Sequence, residues 1–182
     1  MDIVPKYNLI AVAKTGTDEK TVTLKSAQDA KVGSTEVKVT LPDAFKGKKV
    51  YINHNNGANL YVATANATTG EITFTTNGFS PFTFALSNPN VVAEVNGNAY
   101  TSFQDAVNAV ANGGTIEIVG GNKNYTATIS GSSKTFTVKN TLDSDITVKV
   151  NNDSKTVGKN NGTQSFTYTK PSSGGSSGSS SG

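Results

Sequence analysis

The Phe79-Ser80 step in "NGFSPF" and the single histidine, His54, are the residues whose chemistry would matter most in this chain. A serine hydroxyl can attack the carbonyl that precedes it, turning an amide into an ester, provided an imidazole takes its proton. Gly78 occupies the position before Phe79, and His54 lies well upstream in "INHNNG". A hydroxyl without its base is a poor nucleophile. Ser80 therefore reads as a structural serine before Pro81, with Phe79, Phe82 and Phe84 as core. Two Asn and a Gly around His54 make a loop composition, which predicts a solvated hairpin histidine.

Other reactive groupings are thin. One histidine rules out a site of two imidazoles within the chain. The absence of cysteine removes disulfides, thiolate zinc sites and thiol nucleophiles. Asp143, Asp145 and Asp153 cluster with asparagines in "NTLDSDITVKVNND", and such oxygen ligands could hold calcium. The spacing lacks the Gly and Glu of an EF-hand loop, and Asp-x-Asp is common in turns. The expectation is no metal and no cofactor, with these three aspartates as the calcium candidates. Glu71, Glu94 and Glu117 each fall in a strand-like run, where alternation points them to solvent. Paired carboxylates for glycoside hydrolysis need one shared cleft. Tyr51, Tyr61, Tyr100, Tyr125 and Tyr168 read as half-buried strand residues, so a sugar site has no place assigned. No Ser-His-Asp arrangement or phosphate-binding glycine loop is present. The chain is expected to be no enzyme.

Charge narrows the partners. All sixteen basic residues are lysine, against thirteen acids, giving a net +3. Nine lysines meet seven acids before residue 89, and seven meet six after it, so no basic stripe forms. Without the arginine fork and without a stripe, nucleic acid is not an expected partner. No apolar run reaches the length of a membrane helix, and "MDIVPKYNLI" lacks the apolar core of a signal peptide.

The elements that would carry any site are mostly strands. Period-two alternation places Val22 with Leu24, Val37 with Val39 and Leu41, Val50 with Ile52, and Ile72 with Phe74. Phe82, Phe84 and Leu86 continue the pattern. Strands of this length between Gly, Asn and Pro signals indicate an antiparallel β-sandwich over residues 1–88. The "SNPN" stretch from Ser87 marks a boundary. A β-rich domain carrying one helix follows over 89–170, and a flexible Ser/Gly tether over 171–182. Asn96-Gly97 signals a hairpin turn. The helix is expected at about residues 102–112, with Thr101 and Gln104 as a capping box and Asn112-Gly113 as its stop. Phe103, Ala106, Val107 and Val110 share its buried face. "GGTIEIVGG", "YTATIS", "KTFTVKN", "DITVKVN" and "TQSFTYTK" read as strands, without a fixed-period repeat.

Two stretches carry a resemblance. Leu41-Pro42, Gly47, Val50-Tyr51 and the run from Gly70 to Phe82 are similar to a module of large Gram-positive surface proteins. Val95-Asn96-Gly97, Tyr100, Phe103, Ala106-Val107, Ala109 and Gly114-Thr115-Ile116 resemble a second such segment, which often introduces parallel β-helix or repeat regions. These are structural signatures without chemistry. The resemblance implies an extracellular, cell-surface stalk or adhesin-like context, as part of a longer exported protein. Composition agrees, being rich in Thr, Asn, Gly and Ser. A carbohydrate- or host-protein-binding module is the alternative, with a host glycan or host protein as partner and a monomer as the expected state. Self-cleaving β-sandwiches of the death-domain and adhesion-receptor families carry His-x-Ser/Thr at the cut, and Gly78 departs from that pattern. Stalk domains of this kind can carry Lys–Asn isopeptide cross-links, for which Lys139-Asn140 is one coincidence of residue types.

Overall fold

A computed structural model describes residues 9–13, 21–26, 30–54, 59–79 and 82–173, with side-chain surroundings for 36–54, 59–76 and 82–173. Within them the chain is mainly β, with one short helix and largely antiparallel sheets. Strands β1 (Leu9–Ala13), β2 (Thr21–Ser26), β4 (Lys49–His54), β5 (Asn59–Thr64) and β7 (Phe82–Ala85) form one antiparallel array in the order β1-β2-β7-β4-β5. Strands β3 (Ala30–Thr40) and β6 (Glu71–Phe79) pair separately.

Alternation decides what lies between the two sheets. Val50 and Ile52 of β4 and Phe82 and Phe84 of β7 point inward, opposite Val37 of β3 and Ile72 and Phe74 of β6. The Phe74 ring meets Phe82 and Phe84 edge-on, with centroids 5.3 and 5.9 Å away. A single 3-10 turn, Asp43–Phe45, drops Phe45 into the same core. The run from Gly70 to Leu86 is therefore two strands. β6 pairs with β3, whereas β7 pairs with β2 and β4, so the chain has changed sheets between Phe79 and Phe82.

A second core follows. Strands β8 (Ala93–Val95) and β9 (Asn98–Tyr100) form the hairpin that Asn96-Gly97 predicts. Asn96 has φ 47° and Gly97 φ 80°, the double positive φ of a type I′ turn. Beyond helix α1 (Phe103–Ala109) come β10 (Thr115–Ile118), β11 (Asn124–Ala127), β12 (Lys134–Asn140) and β13 (Ile146–Val150). β10 runs parallel to β12, and β11 parallel to β13. The chain thus winds as a short solenoid. Thr115 lies beside Thr137 and Asn124 beside Thr147, so one coil advances 22 or 23 residues. That period is invisible in the sequence because only the inward residues repeat in kind. Strands β14 (Asp153–Val157) and β15 (Gly162–Tyr168) then run antiparallel to β13 and β12, and end the winding.

Ile116, Ile118, Phe136, Val138 and Phe166 line one wall of this core, and Tyr125, Ala127, Val148 and Val150 the other. Helix α1 buries Phe103, Ala106 and Val107 against it. The helix is shorter than the spacing predicts, and its cap is Ser102, not Thr101. Ser102 Oγ accepts from the Asp105 amide at 3.1 Å. Gln104 exchanges hydrogen bonds with the Thr128 backbone instead of closing a capping box. Val110 turns extended, with ψ 131°, which carries its side chain into the core and stops the helix before Asn112-Gly113. Two strands were not anticipated. β1 lies in a segment read only for a leader, and in β14 only Val157 is buried, leaving no alternation to read.

The two cores share a sheet. Tyr61 of β5 pairs with Asn98 of β9, and the Val62 amide donates to Gly97 O at 2.8 Å. The described strands of this sheet run β1-β2-β7-β4-β5-β9-β8-β10-β12-β15.

Candidate functional site

Where the two cores meet, both faces of the shared sheet carry polar side chains. On the outer face, Glu94 of β8 is buried, although alternation alone points it to solvent. The neighbouring unit covers it. Lys49 Nζ donates to its two carboxylate oxygens at 3.0 and 2.9 Å, and Tyr51 Oη donates to Oε1 at 2.9 Å. The carboxylate side chain keeps 7% of its surface exposed and the lysine side chain 44%. Burial raises the Tyr51 phenol well above its ordinary value, and the hydrogen bond to Glu94 and its charge add to the shift. The line of charge continues through Glu117, which sits opposite Glu94 in β10, to Lys139 of β12, whose Nζ is 3.6 Å from Glu117. Lys139 faces this surface while Asn140 faces the core, so these neighbours on one strand do not meet.

On the inner face, a groove of about 440 Å³ separates the two cores. Tyr61, Asn98 and Tyr100 lie along its floor, and Asp105 of α1 stands at its wall. The Tyr61 ring is stacked with Phe74 at 5.9 Å, and its hydroxyl lies 3.4 Å from Thr76 Oγ1. Tyr100 packs on the second core, and burial, then the nearby Asp105 charge, raises its phenol. A larger cleft of about 540 Å³ lies by the Asn96-Gly97 turn, walled by Val62, Val110 and Glu117.

The sequence-derived candidates fall elsewhere. His54 is 4% exposed, not a solvated loop residue. It ends β4 on the inward side, its ring stacked on Phe82 at 4.4 Å, with Nδ1 3.5 Å from Asn59 Nδ2. Counting from Val50 and Ile52 on the period of two predicts that burial. The pairing of His54 with Phe82 brings the imidazole to the start of β7, two positions from Ser80, which lies outside the described residues. Asp143, Asp145 and Asp153 do not converge. Asp145 accepts from the Lys159 amide at 2.9 Å, Asp153 pairs with Lys155 at 3.3 Å, and Asp143 is exposed. Among the described residues no three His, Cys, Asp or Glu side chains group as metal ligands. Glu71 is exposed and Glu117 half-buried. No helix among the described residues is long and apolar enough to cross a membrane.

Sequence reasoning missed the Lys49–Tyr51–Glu94 grouping because Glu94 lies more than forty positions from the other two. Nothing in the local pattern marks β8 as a strand covered on both faces. No protein-family model matches the chain, and neither a curated protein nor a solved structure is found to match it.

Proposed function

We propose that the chain is a non-catalytic stalk or adhesive module of a bacterial surface protein, working outside the cell. The carrying observation is the outer-face clasp. Lys49 and Tyr51 of the first unit grip Glu94 of the second, beside a sheet junction whose described backbone links are the Tyr61–Asn98 pair and the Val62–Gly97 hydrogen bond. Two small units so joined resist bending at the joint, which is what a spacer must do. A Cys-free, Thr- and Asn-rich composition fits the same use; the Ser/Gly stretch expected to be a tether lies, from residue 174, outside the described residues.

The load-bearing part is tested by pulling the full chain from its ends in magnetic tweezers. One cooperative rupture is expected for the wild type, and two separate ruptures for Glu94→Ala. Independent yielding of the two units in the wild type would make the joint a hinge and end the stalk reading. The location is tested by protease shaving of intact source cells, followed by detection of the released chain. Its retention in the cytoplasmic fraction would count against a surface protein.

A further inference from the structure

We propose that the inner-face groove between the two cores binds a neutral saccharide unit. A pyranose presents an apolar C–H face and closely spaced hydroxyls, and the groove offers a matching set. Tyr61 and Tyr100 give apolar ring surface with a polar tip. Asn59 and Asn98 bring carboxamides, each with one N–H turned to a protein partner (His54 Nδ1 and Asn96 O, both at 3.5 Å) and with a second N–H and an oxygen left for a ligand, and Asp105 brings an acceptor pair. Asp105 enters no ion pair among the described residues. Among the described residues no lysine lines the groove, which disfavours a phosphate or carboxylate ligand there. The volume of about 440 Å³ falls within the range of small-molecule sites, and boundaries between packed units are favoured places for them.

The two rings are anchored by different cores, Tyr61 by Phe74 of the first and Tyr100 by the second. Their spacing is thus set by the shared sheet and the clasp on its opposite face. Preorganised side chains of this kind lose little freedom on binding. A small organic cation is the competitor, because a carboxylate beside tyrosines also suits an ammonium group. The two carboxamides favour the sugar, since they offer paired hydrogen bonds that an ammonium group cannot use.

The test is a titration of the full 15N-labelled chain, followed by amide NMR, with glucose, galactose, mannose and N-acetylglucosamine, and with choline as the cation probe. At least one sugar is expected to give saturable shifts at Asn98, Thr101 and Asp105. Asn98→Ala and Asp105→Asn should each raise the half-saturating concentration about tenfold. Thr163→Ala, on the far edge strand, should leave it unchanged. Well-dispersed spectra confirm that each variant is folded, and Asp105→Asn alters only an exposed side chain. Saturation by choline alone, no saturable response to any of the four sugars, or a response that both groove variants leave intact would overturn the proposal. The stalk reading does not depend on this result, because pulling reports on the clasp and the titration on the other face.

Discussion

The Glu94 carboxylate loses most of its water and recovers three hydrogen bonds from Lys49 and Tyr51. Truncating one member of such a group leaves the others short of partners, so Glu94→Ala should cost about 2 kcal/mol in urea unfolding. The half-exposed lysine keeps the figure below that of a fully buried pair. Asn140 is the sharper case. It is fully buried, its Nδ2 donates to Ser144 O and Val157 O at 2.8 and 3.1 Å, and its Oδ1 accepts from the Leu142 amide at 3.0 Å. Asn140→Ala strands three backbone groups and should cost roughly 3 kcal/mol, read as a lowered urea midpoint with unchanged slope. Alkaline pH tests Tyr51. Its phenol titrates near 10.0 when unfolded and higher when folded, chiefly through burial and then through Glu94. The folded state thus favours the protonated phenol, so this contribution is complete below pH 10 and is lost as pH rises toward the folded value. Tyr51→Phe should flatten the fall of stability above pH 10 in urea titrations.

Among the elements, turns and caps carry the predictions. Gly70 has φ 74°, and a Cβ there would come within 2.6 Å of Leu41 O in the backbone. The contact cannot relax by a rotamer change, because the neighbour is main chain, one residue past the end of β3. Gly70→Ala should therefore cost roughly 2 kcal/mol, measured as a drop in the midpoint of the chain's melting transition. Ser102 supplies the side-chain cap of a helix only seven residues long. Ser102→Ala should cost about 1 kcal/mol and speed hydrogen exchange at Asp105 and Ala106 first. The solenoid coils obey the same economy. β10 and β12 match Ile116 with Val138 in parallel register, and β15 closes the stack by setting Phe166 against Phe136.

At the scale of the molecule, two cores unfold as one only if the joint is stronger than thermal motion at their boundary. The wild type should melt in a single calorimetric transition, and Glu94→Ala in two, with the first unit and the second now separable. A single chain is also expected in solution, as sedimentation equilibrium would show.

Composition and alternation by themselves determined that this chain is mainly β, that a hairpin turns at Asn96-Gly97, and that Phe82, Phe84, Val50 and Ile52 face a core. Those are local properties, fixed by a period of two and by the φ values that Asn96 and Gly97 allow. Only the tertiary structure decided that Glu94 is covered, that Phe82 is the ring His54 stacks on, and that Tyr61 and Tyr100 share a groove. Each depends on which strands become neighbours across tens of residues, and no local pattern encodes that choice. The winding of β10 to β13 stayed hidden for a related reason: a solenoid repeats its inward contacts, and different apolar side chains fill that role equally well.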